Sequence, residues 1–179
     1  MRKLLVFLAL SASVSYAGGW IDKDGNPAPE SQNRKSSGNF SAMLLVTPNG
    51  TWEEKWNTPS QVTPDFQEVE IAKIGDEFAV LTIFANPKPD INNNVNVVCS
   101  LRVTRPDNTT AVSEDNIPCL QGPLHGPASN IRLSPAILKF VAESTDPEGI
   151  WLVDATVEDK NRNIKLELKT QYEFTGADG

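Results

Sequence analysis

The chain has 179 residues, a formal charge of −7, two cysteines, one histidine and four tryptophans. That acidic balance excludes nucleic acid and anionic membrane surfaces as natural partners, because both are bound through a basic footprint. One histidine is a poor match to the usual zinc ligand sets, and no Gly-x-Ser-x-Gly elbow, His-Glu-x-x-His or phosphate-cradling Gly loop occurs.

Met1-Arg2-Lys3 is a basic start, Leu4–Leu10 an apolar run, and Ser11–Ala17 a stretch of mostly small residues. This order predicts a secretory signal peptide over 1–17, cleaved before Gly18. The apolar run falls short of the roughly 20 residues of a membrane span, so no membrane anchor is expected. Removing 17 of 179 residues leaves 162, and losing Arg2 and Lys3 takes the formal charge from −7 to −9. The expected location is the periplasm or the extracellular medium. There an even cysteine count predicts a structural disulfide, Cys99–Cys119. No Cys-x-x-Cys redox pair is present.

Residues 18–38 read as a flexible lead segment, or as an arm docking through Trp20 and Ile21, because Gly, Pro, Ser, Asn and charge dominate them. "DKDGN" (Asp22–Asn26) lacks the spacing of a calcium loop and reads as a turn. A single domain follows over 39–175. "FSAMLLVTP" is a strand ended by Pro48, with a turn at Asn49-Gly50. "TWEE" fits a capping box, so a short helix starts at Thr51 and stops before Pro59. Trp52 and Trp56, four residues apart, then share one side of it. The pair is a candidate binding surface if exposed, and a plug closing one end of the fold if buried. A short helix needs tertiary packing to persist, which favours burial of at least one indole.

"EVEIAKI" alternates, whereas "FAVLTIFA" (Phe78–Ala85) is continuously apolar and suits a central strand covered on both faces. Asp90–Asn94 reads as a turn between strands, with calcium ligation the weaker alternative. "VNVVCSLRVT" is a further strand, and a weak strand or loop from Thr109 carries Cys119. "GPLHGP" (Gly122–Pro127) reads as a rigid loop holding His125, and Pro135 forces a break, a bulge or an edge position in the extended stretch that follows. At the C-terminus Trp151, Val153, Ala155 and Val157 share one face. After a polar turn, Ile164, Leu166, Leu168, Tyr172 and Phe174 do the same. This hairpin has one face on a core and one in water. The adjacent carboxylates Glu53-Glu54, Glu114-Asp115 and Glu158-Asp159 point in different directions and are expected to be solvated.

These elements predict an all-β fold: an immunoglobulin-like antiparallel β-sandwich of about seven or eight strands with one short helix. The ordered motifs "LLVTP", "KWNTP", "LTIFANPKPD", "VVCSLRVTRPDN", "PCLQGPLHGP" and "DPEGIW" resemble a family of small exported proteins of Gram-negative bacteria with no established activity. The resemblance runs from about Phe40 to Phe174 and implies one periplasmic sandwich domain with one disulfide. It implies no cofactor, catalytic residue or metal ligand. The family usually has a glycine where this chain reads Asn92-Asn93-Asn94, which bears on that turn alone. The expected function is a non-catalytic binding or assembly module, with another periplasmic or envelope protein as partner and Trp52, Trp56 and His125 as the candidate surface. The alternative is an enzyme of unrecognised type, a hydrolase being one form, built on the His125 loop, which would need a carboxylate and a nucleophile within hydrogen-bond reach of the imidazole.

Overall fold

The computed structural model describes residues 20, 26, 28–58 and 65–176. The expected signal peptide, Ile21, most of the expected Asp22–Asn26 turn and Pro59 lie outside the described residues. In chain order the elements are β1 (Arg34–Ser37), β2 (Phe40–Pro48), α1 (Trp52–Trp56), β3 (Ile71–Lys73), β4 (Glu77–Ala85), β5 (Asn94–Thr104), β6 (Thr110–Pro123), β7 (Arg132–Leu133), β8 (Leu138–Val141), β9 (Gly149–Asp159) and β10 (Ile164–Thr175). They form two sheets. One has the order β1-β2-β4-β7, with β8 also on β4, and the other β3-β10-β9-β5-β6.

The all-β sandwich with one short helix is therefore what the alternation predicts. Ten strands occur among the described residues instead of seven or eight, because β1 carries no apolar period of its own and the extended stretch around Pro135 is two short strands, β7 and β8. β1 lies inside the expected lead segment and is zipped to β2 by main-chain pairing of Arg34–Ser37 with Phe40–Met43. β7 and β8 are two pieces of one edge, both paired with β4 and separated by the break at Pro135. β3 joins β10 in parallel, the one parallel pairing among the described strands.

The main core lies between the sheets. Phe40, Ala42, Leu44 and Val46 of β2, with Phe78, Val80 and Phe84 of β4, meet the inward residues of β5, β9 and β10. The β9–β10 hairpin has the expected register, with Val157 opposite Leu166 and Trp151 opposite Tyr172. β4 is covered on both faces as its continuous apolar run requires. Its other residues, Ala79, Leu81 and Ile83, belong to a second apolar cluster on the outside of the sheet.

Cys99 and Cys119 are bonded, their Cα atoms 5.8 Å apart, and link β5 to β6 on the core side. β6 is a bulged, mostly exposed edge strand, with register shifts along its pairing to β5. Asn116 at φ 58°, Pro118 and the charges Glu114 and Asp115 make it a poor template for further strands. The disulfide closes a sequence separation of 20 residues. On loop-closure entropy, replacing both cysteines by alanine should cost about 3 kcal/mol. Urea unfolding of the oxidised protein and the double variant measures it. An unchanged midpoint would mean that β5–β6 pairing alone holds the loop.

Candidate functional site

The outward residues of β2 and β4 are apolar and need a cover. Leu45, Leu81 and Ile83 on this face are at most 3% exposed. α1 supplies much of that cover. Asn49 and Gly50 turn the chain out of β2 and lay the helix back over the sheet it came from. Trp52 and Trp56 share one side of it, and both pack on the outer cluster.

The two indoles differ in exposure. Trp52 is 5% exposed, its Nε1–H donates to Asn49 Oδ1 at 3.3 Å, and Lys139 Nζ of β8 lies 5.6 Å from the ring centroid. The same ammonium pairs with Glu53 at 3.0 Å. Trp56 is only partly buried. The tryptophans therefore do not close one end of the sandwich, as a plug was expected to. They cover the outer face of the β2–β4 sheet. The capping box is also not realised: Thr51 makes no side-chain cap hydrogen bond. The helix is fixed instead at its C-terminal end, where Asn57 Nδ2 donates to Glu53 O and Thr58 Oγ1 to Lys55 O.

Beside Trp56 the described residues leave the cover incomplete. Trp20, Met43, Trp56, Phe66, Ile83 and Ile131 line a groove of about 490 Å³, with Arg34, Asp65 and Glu68 around them. Trp20 is held there by its indole N–H, which donates to Ala42 O at 3.3 Å. An arm docking through Trp20 is thus present, and sequence reading left open whether that segment docks. Phe66 and Met43 carried no signal as groove residues. The continuous apolar run of β2, beside that of β4, was the readable sign of an outer face needing cover.

His125 is exposed. The described loop uses its main chain: His125 O, Pro127 O and Ala128 O all accept hydrogen bonds from the Arg132 guanidinium. Arg132, not a proline–glycine frame alone, organises the loop. The fold does not bring His125 together with Trp52 and Trp56 through any contact described here. The hairpin carboxylates divide as their adjacency requires. Glu158 pairs with Lys160 at the surface, but Asp159 is fully buried and corrects the expectation of solvated charge. Its Oδ2 accepts the Lys88 N–H at 2.8 Å and the Arg162 Nε–H at 3.3 Å, while Oδ1 accepts the Arg162 main-chain N–H at 3.3 Å. At Asp90–Asn94, Asp90 Oδ1 accepts the N–H groups of Asn92 and Asn94, the ordinary chemistry of a turn, and Asn93 takes φ 62° within it.

No protein-family model matches the chain, and no curated protein matches it. Among solved structures it is similar to a family 123 glycoside hydrolase from Clostridium perfringens, with 12% identity, 75% of this chain and 27% of that one covered, and a TM-score of 0.42. It is similar to the alkylpurine DNA glycosylase AlkC of Pseudomonas fluorescens at 10% identity, covering 75% of this chain and 30% of that one, with a TM-score of 0.39. A Niemann-Pick type C2 protein from the Japanese carpenter ant matches at 11% identity over 74% of this chain and 89% of that one, with a TM-score of 0.34. The chain spans less than a third of the length of the first two. No property of these proteins is transferred at such scores.

Proposed function

We propose that the chain is an exported, non-catalytic binding module that holds an apolar segment of another periplasmic or envelope protein in the Trp20–Trp56 groove. The observation that carries this reading is the contrast across one face. Trp52 is buried beneath Lys139, yet Trp56, four residues on, is left at the side of an open groove with a second indole lining it. An aromatic-lined groove with a charged rim suits an apolar anchor whose flanks stay wet. Export is supported by the basic, apolar and small-residue order at the N-terminus, together with a disulfide of the kind oxidising compartments allow. The hydrolase reading gains no support from the His125 loop, where the described hydrogen bonds tie carbonyl groups to Arg132.

The test is site-specific photocrosslinking in the exporting cell. A probe at Ile131, on the groove wall, should give one discrete product, while a probe at Glu167, on the outer face of the other sheet, should not. Trp56→Ala should remove the product while changing stability by less than about 1 kcal/mol, since its side chain is only partly buried. Identical products from both positions, or a product indifferent to Trp56→Ala, would sink the reading.

A further inference from the structure

The sheets part at the end of the sandwich opposite the β9–β10 turn, and a pocket of about 180 Å³ opens there. It is smaller than the roughly 300–1,000 Å³ of drug-sized sites, and is scaled to one side chain or a small amine. Its wall is aromatic. Tyr172 meets Phe78 edge-on with ring centroids 4.8 Å apart and stacks on Trp151 at 6.0 Å, while Phe140 stacks on Phe78 at 5.6 Å. Arg105, Glu143 and Asp146 supply the charge.

The rim is fixed without any ligand. Asp146 N–H donates to Glu143 O at 3.0 Å, and Asp146 Oδ2 accepts the Glu143 N–H at 2.9 Å. Trp151 Nε1–H donates to Pro147 O at 3.0 Å. Arg105 is held aside, donating to Thr110 O at 2.9 Å with its guanidinium over the Trp151 ring. Tyr172 is the exception. The residue is 4% exposed, yet its hydroxyl has no hydrogen-bond partner among the described residues. No fully buried side-chain oxygen is left unpaired, so this hydroxyl, on a residue that lines the pocket, is within reach of solvent. Burial, and then the nearby Asp146 carboxylate, push its pKa well above the usual tyrosine range, so it stays protonated at neutral pH with lone pairs free to accept.

We propose that this pocket binds a primary alkylammonium group, from a lysine of a partner protein or a free amine. Its three N–H donors are shared among Asp146, Glu143 and the Tyr172 hydroxyl, with its carbon chain on the aromatic wall. Three donors meet three acceptors. Two carboxylates outweigh the one guanidinium, which is held on Thr110 O and over the Trp151 ring, aromatic faces favour a cation, and the chain as a whole is acidic. The site is separate from the Trp20–Trp56 groove and does not depend on it.

The test follows the Trp151 indole N–H resonance of the oxidised protein during titration with butylammonium chloride, and with 1-butanol as the neutral control. The ammonium should give a saturable shift and the alcohol none. Asp146→Asn keeps an oxygen for the Glu143 N–H and should weaken binding about tenfold. Glu143→Gln, an exposed change, and Tyr172→Phe should each weaken it about threefold. Trp56→Ala should leave it unchanged, which separates this site from the groove. A lysine-containing heptapeptide binding more than tenfold tighter than butylammonium assigns the group to a protein partner, and equal affinity assigns it to a free amine. Equal shifts from butanol and butylammonium, or undiminished binding by both carboxylate variants, would overturn the proposal.

Discussion

Trp52→Ala is expected to lower the stability by about 3–5 kcal/mol, the cost of removing a buried aromatic side chain and leaving a cavity behind. The indole is a larger part of the outer cover than its place in a five-residue helix suggests. It lies on Leu45, Ala79, Leu81 and Ile83, residues buried because that helix is there. Without it α1 has no reason to persist, since so short a helix cannot hold itself together in water. Lys139 would lose its aromatic face, worth about 0.5–1 kcal/mol at such a site. Urea unfolding at constant slope is the measurement. Trp52→Phe separates the contributions. It retains most of the apolar area but loses the hydrogen bond to Asn49, so it should cost about 1–2 kcal/mol. If Trp52→Ala and Trp56→Ala proved equally mild, the outer cluster would not be part of the cooperative fold.

Asp159→Ala is expected to be comparably severe, at about 3–5 kcal/mol, by a different route. The carboxylate is fully buried and faces three donors: the Lys88 N–H, the Arg162 main-chain N–H and Arg162 Nε–H. Arg162 in turn donates to Gly38 O and Asn86 O, so one ion pair ties the β9–β10 turn to the β1–β2 turn and the loop after β4. Removing the carboxylate leaves a half-buried guanidinium without its counter-charge. Asp159→Asn should also destabilise, although it is nearly isosteric, because the amide nitrogen brings a donor where donors already converge. Thermal unfolding of both variants is the check, and the double variant Asp159→Ala/Arg162→Ala should recover part of the loss. Full additivity in that cycle would mean that the pair is not coupled.

The sandwich was legible because period-two alternation and continuous apolar runs are local properties. β4 announced two covered faces, and β9 and β10 announced one each, before any partner strand was known. The short strands were legible only in part: "EVEIAKI" announced β3, and the stretch around Pro135 announced an interrupted strand. Arg34–Ser37 has no apolar period, and β7 and β8 exist because β4 offers its edge to both sides of Pro135. The position of the tryptophans was half legible. Spacing put both on one side of a helix, but only the turn at Asn49-Gly50 decides whether that side meets the end or the face of a sheet. The end pocket was invisible for a topological reason. Asp146, Trp151 and Tyr172 converge because antiparallel pairing sets Tyr172 opposite Trp151, while Asp146 lies in the loop leading into β9. Asp159 was misread because adjacency with Glu158 says that two side chains diverge, not which of them turns inward.

The parallel pairing of β3 with β10 sets Ile71 beside Glu173, so an early segment pairs with the last of the described strands. Pairings so distant along the sequence must bear the cost of loop closure before contacts repay it, which slows acquisition of the native state. A nascent polypeptide ending before Ile164 would leave both β3 and β9 without the strand that joins them.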